Sequence, residues 1–298
     1  MAVNKDLVGF DIPDYKKIRV IIDTDAACEA DDPFAIVQGL LSPKLIIKGI
    51  IAEHFRQPHS MEDSYDEIIK ICNAMDITVP VLKGQTGPLS EDNEVSEGVE
   101  RIIEEAMSED DKPLFILCQG AITNVAKAIK EDPDIIGRMT VIWIGTHGEA
   151  PCEAPFREFN AGNDIEAANL VLHSGIDLWL VPSQVYTTIT IGIAEIKRRI
   201  SPCGKIGKHL YENLIEYNAS EGAGWTQGES WSLGDSPAIA IAINPGCGHY
   251  KMIKAPIIAE DTSSVTDPDG PLIRLYTDAD SRYILEDLIA KLELFCMK

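Results

Sequence analysis

Five carboxylates lie within ten residues near the start of the chain, at Asp23, Asp25, Glu29, Asp31 and Asp32. They follow a short β-branched run, Arg19-Val20-Ile21-Ile22, and they lead into Pro33-Phe34-Ala35-Ile36, which reads as the start of a helix. A buried strand that delivers such a cluster to the rim of a sheet brings like charges together. That is costly unless a cation sits among the groups or some of them stay protonated. Hard oxygen donors favour Ca²⁺ or Mg²⁺ over zinc. Acids at a helix start also suit the macrodipole, which accounts for Asp31 and Asp32 but not for Asp23 and Asp25 at the strand end. The pattern therefore reads as a metal site at the carboxyl end of a strand, where open α/β sheets place their ligands.

Three later stretches carry candidate chemistry. Cys118-Gln119-Gly120-Ala121-Ile122-Thr123-Asn124 follows a strand and, taken alone, is an ordinary strand–Gly–helix turn. A long loop, residues 146–163, contains two prolines and ends in Arg157-Glu158-Phe159-Asn160; loops of this length are often functional. Sugar hydroxyls both donate and accept, so the carboxylate of Glu158 beside the amide of Asn160 suits them. Asp164, in Asn163-Asp164-Ile165-Glu166-Ala167-Ala168, fits a helix N-cap and needs no further role. Leu233-Gly234-Asp235-Ser236-Pro237-Ala238 opens another helix at an aspartate, either as a cap or as a ligand. Trp225 and Trp231 flank Gln227-Gly228-Glu229 nearby, and they either stack on a base or pack the segment down. His147, in the long loop, is expected to face solvent.

The elements that would position these residues alternate. Strands are expected at Ile18–Asp23, Leu45–Ala52, Val79–Leu82, Leu114–Cys118, Thr140–Ile144 and Leu178–Val181. Helices are expected at Asp32–Leu41, from a Ser60-x-x-Asp63 capping box with Ile68, Ile69, Ile71 and Met75 inward, around Val99–Ala106, and over Ala121–Lys130 and Ile165–His173. Helices at Ile193–Ile200, Lys205–Tyr217 and Asp235–Ile243 follow, then strands at Met252–Ala259 and Leu272–Tyr276 around a turn at Thr266–Gly270, and a closing helix over Ser281–Phe295. This spacing indicates βαβ units and an α/β fold with an open, mostly parallel sheet flanked by helices. Residues 1–17 are expected to wrap the surface and residues 84–98 to form a polar, acidic loop.

Composition bounds the rest. The 298 residues, 45% of them hydrophobic, suffice for a large core in a single domain over 1–298. With 26 basic and 48 acidic residues the net charge is −22, which argues against nucleic-acid polymers and anionic membranes as partners and is compatible with a small neutral or cationic substrate. No apolar run is long enough to span a bilayer and no leader precedes the first strand, so a cytoplasmic location is expected. The seven cysteines are scattered, odd in number and without a Cys-x-x-Cys pair, and read as reduced thiols. The six histidines show no zinc spacing. Gly84-Gln85-Thr86-Gly87 and Gly246-Cys247-Gly248 lack the dinucleotide spacing, and Asp267-x-Asp269-Gly270 is a turn rather than an EF-hand.

Four of these stretches, in chain order from residue 19 to 240, resemble the inosine-uridine-preferring nucleoside hydrolases. The family's opening motif reads Asp-x-Asp-Pro-Gly-x-Asp-Asp-Ala-x-Ala-Ile; Asp23-Thr24-Asp25 and Asp31-Asp32-Pro33-Phe34-Ala35-Ile36 match its ends. Here the turn between them (Ala26 to Ala30) is two residues longer and lacks Pro-Gly. Gln119 to Asn124 is similar to Thr-Gly-x-Leu-Thr-Asn, and Glu158-Phe159-Asn160 matches Glu-Phe-Asn. Asp164 to Ala168 resembles Asp-Pro-Glu-Ala-Ala, and Asp235 matches the Asp of His-Asp-Pro. Gly234 stands where that His would be, and Cys152 where the family has an Asn.

The resemblance implies an open α/β sheet with its site at the strand carboxyl ends, and calcium-dependent hydrolysis of the N-glycosidic bond of a ribonucleoside. It implies Ca²⁺ held by Asp25, Asp32, Asp235 and the Gln119 carbonyl, with Asp25 as general base and Asp31, Glu158 and Asn160 on the ribose. It also implies a homo-oligomer, a dimer or a tetramer. With Gly234 in place of the His, the general acid would be His147 or Glu229, or the base would leave unaided. Two other readings stay open: hydrolysis of another N-glycosyl compound such as the cationic nicotinamide riboside, or a non-catalytic nucleoside or sugar binder on the same scaffold.

Overall fold

The computed structural model describes residues 7–91 and 94–297 of the chain. The first six residues of the opening segment, and residues 92 and 93 of the acidic loop, lie outside the described residues. In chain order the elements are β1 (Ile18–Thr24), α1 (Asp32–Leu40), β2 (Leu45–Ala52), α2 (Ser60–Met75), β3 (Val81–Lys83), α3 (Glu97–Ala106), β4 (Leu114–Cys118), α4 (Thr123–Glu131) and β5 (Thr140–Ile144). There follow α5 (Phe159–Asn163), α6 (Ile165–His173), β6 (Asp177–Val181), α7 (Ser183–Tyr186), β7 (Thr190–Gly192), α8 (Ile193–Glu195), α9 (Gly204–Asn218), β8 (Ser230–Ser232) and α10 (Ser236–Ile243). The chain closes with β9 (Tyr250–Lys254), β10 (Ile257–Ile258), β11 (Ser264–Val265), β12 (Leu272–Tyr276) and α11 (Ser281–Cys296).

One eight-stranded sheet organises these elements, in the order β3-β2-β1-β4-β5-β6-β12-β9. All its pairings are parallel except that of the edge strand β9 with β12. Every residue of β1 is buried, because helices cover both faces and a central parallel strand must be apolar on both sides. Val20, Ile22, Ile50 and Leu117 point to one face, where Phe34, Ile68, Leu210, Ile239 and Leu288 of α1, α2, α9, α10 and α11 meet them. Ile21, Ile51 and Ile116 point to the other, against Val99, Val125 and Val171 of α3, α4 and α6. The chain winds outward from β1 to β3, then returns to place β4 on the opposite side of β1. That reversal opens a crevice at the carboxyl ends of β1 and β4, the standard ligand position in such sheets.

The α/β fold with an open, mostly parallel sheet is as expected, and the differences are local. The third strand starts at Val81 rather than Val79 because Pro80 has no N–H for the ladder. The strand expected over Met252–Ala259 is split into β9 and β10 around Pro256 for the same reason. The capping box at Ser60 does not form. His59, at φ 63°, occupies the cap position, and the Ser60 hydroxyl accepts from the Phe55 N–H instead. Of the expected inner face of α2, Ile68, Ile71 and Met75 are buried and Ile69 is only partly so. Helix α4 begins at Thr123, two residues late, because Ile122 adopts φ 66°. The stretch Ile193–Ile200 is α8 followed by a π-helical turn over Ile196–Ile200. Among the described residues all seven cysteines are free, and no helix is long and apolar enough to cross a membrane.

Candidate active site

At the crevice, β1 ends in Asp23 and Thr24, and the chain turns at once through Asp25. The Cys28 N–H donates to the Asp25 carbonyl at 2.7 Å, closing the turn. Ala26 and Ala30 are fully buried and anchor its two ends in the core, so Cys28 and Glu29 form its tip over a cavity of about 550 Å³. Asp25, Asp31, Asp32, Gln119, Glu158, Asn160 and Asp235 all line that same cavity. Each residue singled out for metal, base or sugar thus reaches one space, from β1, α1, β4, α5 and the start of α10.

The carboxylates crowd one another. Asp31, Asp32 and Asp235 can each present an oxygen within 4.8 Å of the other two; Asp25 lies outside that tight trio. The Thr24 hydroxyl donates to Asp32, and the Gly234 N–H donates to Asp31 at 2.9 Å. Although Asp31 and Asp235 occupy N-cap positions, neither side chain makes a capping bond. The capping explanation for Asp235 therefore falls away. Burial, then the charge of Asp31, pushes Asp32 up to about 7, and burial pushes Asp31 up to about 6. Asp25 and Asp235 are driven well above the carboxylate range, by burial first and then by the charges of Asp32 and Asp31 respectively. Asp25 Oδ2 is buried and has no hydrogen-bond partner among the described residues. A set of hard, mutually repelling oxygens with an orphaned carboxylate atom fits a divalent oxygen-loving cation such as Ca²⁺.

Gly120 lets Asp25 sit where it does. A Cβ there would lie 3.1 Å from Asp25 Cγ and Oδ1. The Gln119 carbonyl accepts from Asn160 Nδ2 at 2.9 Å, which leaves one lone pair for a cation. The same Asn160 nitrogen also donates to the Ile144 carbonyl at 2.8 Å, so Asn160 ties the ends of β4 and β5 together and has only its amide oxygen left for a sugar hydroxyl. Glu158 is 1% exposed. One carboxylate oxygen accepts from the Ala161 N–H at 2.8 Å and the other from the Tyr186 hydroxyl at 3.0 Å. Its own N–H donates to the Thr262 hydroxyl at 2.8 Å. Ile122, Thr146 and Thr262 all have positive φ, a costly conformation for β-branched residues that concentrates at functional sites.

Several expectations are corrected. His147 does not face solvent: it is 1% exposed, with Nδ1 on the Ser183 hydroxyl and Nε2 on the Phe156 carbonyl. Glu229 is exposed and is not among the cavity's lining residues. Cys152, where the family's Asn contact is lost or replaced, pairs through its backbone with Ser264 and is not among the cavity's lining residues. The two tryptophans divide the roles, Trp225 lining the cavity at 56% exposure and Trp231 packing the segment down at 1%. Asp164 does cap α6 through Ala167, but its second oxygen also accepts from Thr123 and from the Leu89 N–H.

Sequence reasoning missed Glu53 and Tyr186. Glu53, at the end of β2, accepts from the Thr123 N–H at 2.9 Å and pairs with Asp23 behind the site, burial pushing Asp23 up to about 6. An acid directly after an apolar run is the same signal that marked Asp23. Tyr186 had none, because α7 brings it in from a distant part of the chain.

Residues 20–273 match the family described as inosine-uridine preferring nucleoside hydrolase. Among curated proteins, the pyrimidine-specific ribonucleoside hydrolase RihB of Escherichia coli (strain K12) is 24% identical over 77% of this chain and 80% of its own length. Among solved structures, a plant nucleoside hydrolase, PpNRh1, superposes with a TM-score of 0.75 at 19% identity, covering 93% of this chain and 99% of its own. A purine-preferring ribonucleoside hydrolase from Gardnerella vaginalis gives 0.75 at 19% identity, covering 94% and 100%. At such identities these structures establish the fold.

Proposed function

The chain belongs to the inosine-uridine preferring nucleoside hydrolase family and is thereby an N-glycosyl hydrolase; we propose that it cleaves a ribonucleoside to base and ribose with the help of Ca²⁺. The observation that carries this reading is convergence. Asp25, Asp32, Asp235 and the Gln119 carbonyl surround the same cavity as Asp31, Glu158 and Asn160, and Asp25 keeps an unpartnered buried oxygen. Asp25, Asp32, Asp235 and Gln119 would hold the ion, with Asp31 close enough to join them. Such an ion supplies Lewis acidity that eases the ionisation of water.

The chain's own residues do the remainder. Asp25 Oδ2, free of any other bond, takes the proton of the attacking water. Glu158, fixed by Ala161 and Tyr186, accepts from a ribose hydroxyl, and Asn160 offers its amide oxygen to another. Cleavage of a glycosidic bond passes through an oxocarbenium-like state. The carboxylates around the ring stabilise that positive charge. The test is reducing-sugar release from a panel of nucleosides and p-nitrophenyl riboside, with Ca²⁺ and with a chelator. Release abolished by the chelator and by Asp25→Asn supports the reading. Full activity in the chelator removes the calcium part, and silence on the whole panel removes the ribohydrolase part.

A further inference from the structure

Helix α4 starts on a turn that its own residues do not hold. Ile122 stands at its N-cap position in the left-handed region, at φ 66°, with an apolar side chain that makes no capping bond. That conformation is costly for a β-branched residue, and the first N–H groups of a helix need acceptors from outside it. Here the acceptor comes from another strand. Glu53, the residue after β2, is fully buried. Its Oε1 accepts from the Thr123 N–H at 2.9 Å and from the Asn124 N–H at 3.4 Å, and its own N–H donates to the Thr24 carbonyl at 2.8 Å. Among the described residues Glu53 Oε2 and Asp23 Oδ2 have no other partner, and the two carboxyl groups are hydrogen-bonded to each other. Asn124 completes the link, donating from Nδ2 to Asp23 Oδ1 at 2.8 Å. Glu53 thus joins the ends of β1 and β2 to the start of α4. Between that start and β4 lie only residues 119–122. The Gln119 N–H donates to the Asp23 carbonyl at 2.8 Å, and the Gly120 carbonyl accepts from the Trp143 indole at 3.0 Å. Gly120 backs directly onto the Asp25 carboxyl, so this turn cannot shift without moving that group.

We propose that Glu53 is a positioning residue for the metal site: by holding Thr123 and Asn124 from β2 it keeps Ile122 in its left-handed turn, and so fixes the Gln119 carbonyl and, through Gly120, the Asp25 carboxylate. The inference rests on the calcium reading and adds to it a group that touches neither ion nor substrate. Without Glu53, Ile122 is released toward the right-handed region and the peptide planes before it rotate. The relaxed form is the one expected from the sequence, with α4 starting at Ala121. Glu53 also lies near enough for its charge to act on Asp25, so position and charge have to be separated. Two substitutions separate them. Glu53→Gln keeps an oxygen for the two backbone N–H groups and offers an N–H to Asp23 Oδ2, but carries no charge. Glu53→Asp keeps the carboxyl group but draws its oxygens back from Thr123.

Calorimetric titration with Ca²⁺ of the unsubstituted protein and of Glu53→Gln, Glu53→Asp and Glu53→Ala tests this, with circular dichroism to establish that each is folded. The expected Kd of Glu53→Gln lies within about threefold of the unsubstituted protein, whereas Glu53→Asp and Glu53→Ala weaken binding by about tenfold or more, as loss of a group that orients metal ligands does. Should Glu53→Ala fail to fold, the comparison of Gln with Asp carries the test. A folded Glu53→Asp or Glu53→Ala whose Kd stays within about threefold of the unsubstituted protein overturns the proposal and leaves the calcium reading standing. Glu53→Gln weakened as much as Glu53→Asp also overturns it, because the ion would then sense the charge of Glu53 and not the turn it holds. No calcium binding by the folded, unsubstituted protein removes the calcium reading and this inference with it.

Discussion

Gly120 and Tyr186 touch nothing that reacts, yet each fixes a group that does. With an added Cβ only 3.1 Å from the Asp25 carboxyl, Gly120→Ala must push that carboxylate aside by a few tenths of an ångström. The expected result is a loss of at least about tenfold in kcat and in calcium affinity, since displacing catalytic groups is punished steeply, together with about 1–3 kcal/mol of stability. Activity and calcium titration of the variant check both. Tyr186→Phe removes the hydroxyl that orients Glu158 and leaves a buried carboxylate oxygen without its donor, a change on the order of 1–2 kcal/mol. It should appear as a rise of about three- to tenfold in KM for ribosides with a smaller change in kcat, and an unchanged KM would refute the orienting role. At this scale the sequence was partly readable. Asp25, Asp31 and Asp32 stand out because they crowd the end of an apolar strand, and Glu158 and Asp235 because they fall in the family's motifs. Tyr186 was missed and His147 misjudged, since nothing local distinguishes a buried, engaged side chain from an exposed one in a long loop.

Elements hold the site through a few polar cross-links. Asp164 caps α6, reaches Thr123 at the start of α4 and accepts from Leu89 in the loop before α3. Asp164→Ala should therefore cost about 2–4 kcal/mol, one cap plus two buried donors left unpaired. The denaturant midpoint should fall at constant slope, and kcat should change far less than in Asp25→Asn. A midpoint within error of the unsubstituted protein would show that water replaces these bonds. The alternation of strands and helices was legible because both-faces-buried strands and one-face-buried helices impose different periods. Their boundaries were less so. Pro80 and Pro256 trim strands in a way the residue type alone announces, whereas the late start of α4 depends on Ile122 taking a positive φ that its own side chain disfavours.

For the molecule as a whole, the crowded carboxylates make stability depend on pH and on the cation. Burial, followed by neighbouring charge where it acts, raises Asp23 and Asp31 to about 6, Asp32 to about 7 and Glu29 to about 8, against about 4 in an unfolded chain. The folded, metal-free protein consequently binds more protons than the unfolded chain between these values. The stability these groups contribute is fully present below about pH 4 and is lost as the pH rises through their folded values of about 6 to 8. In chelator, the melting temperature should drop by about 5–10 °C from pH 5 to pH 8. Excess Ca²⁺ should restore most of it at pH 8, because it binds only the folded form. Equal melting curves with and without calcium at pH 8 would argue against a cation among these groups.

By itself the sequence determined the α/β alternation and the helix-covered parallel sheet, because hydrophobic period is a local property of a chain, and its family motifs singled out residues that line one cavity. Only the tertiary structure decided which of those residues meet. It placed β4 beside β1, brought α10 and the loop after β5 to the same crevice, set Asp31 rather than Asp25 in the tight trio with Asp32 and Asp235, and spent both donors of Asn160 on backbone carbonyls. It also raised Glu29 over the cavity on a turn whose ends are buried. The reason is physical: proximity, burial and the loss of water around a charge are set by contacts between segments far apart in the chain, and no single segment carries them.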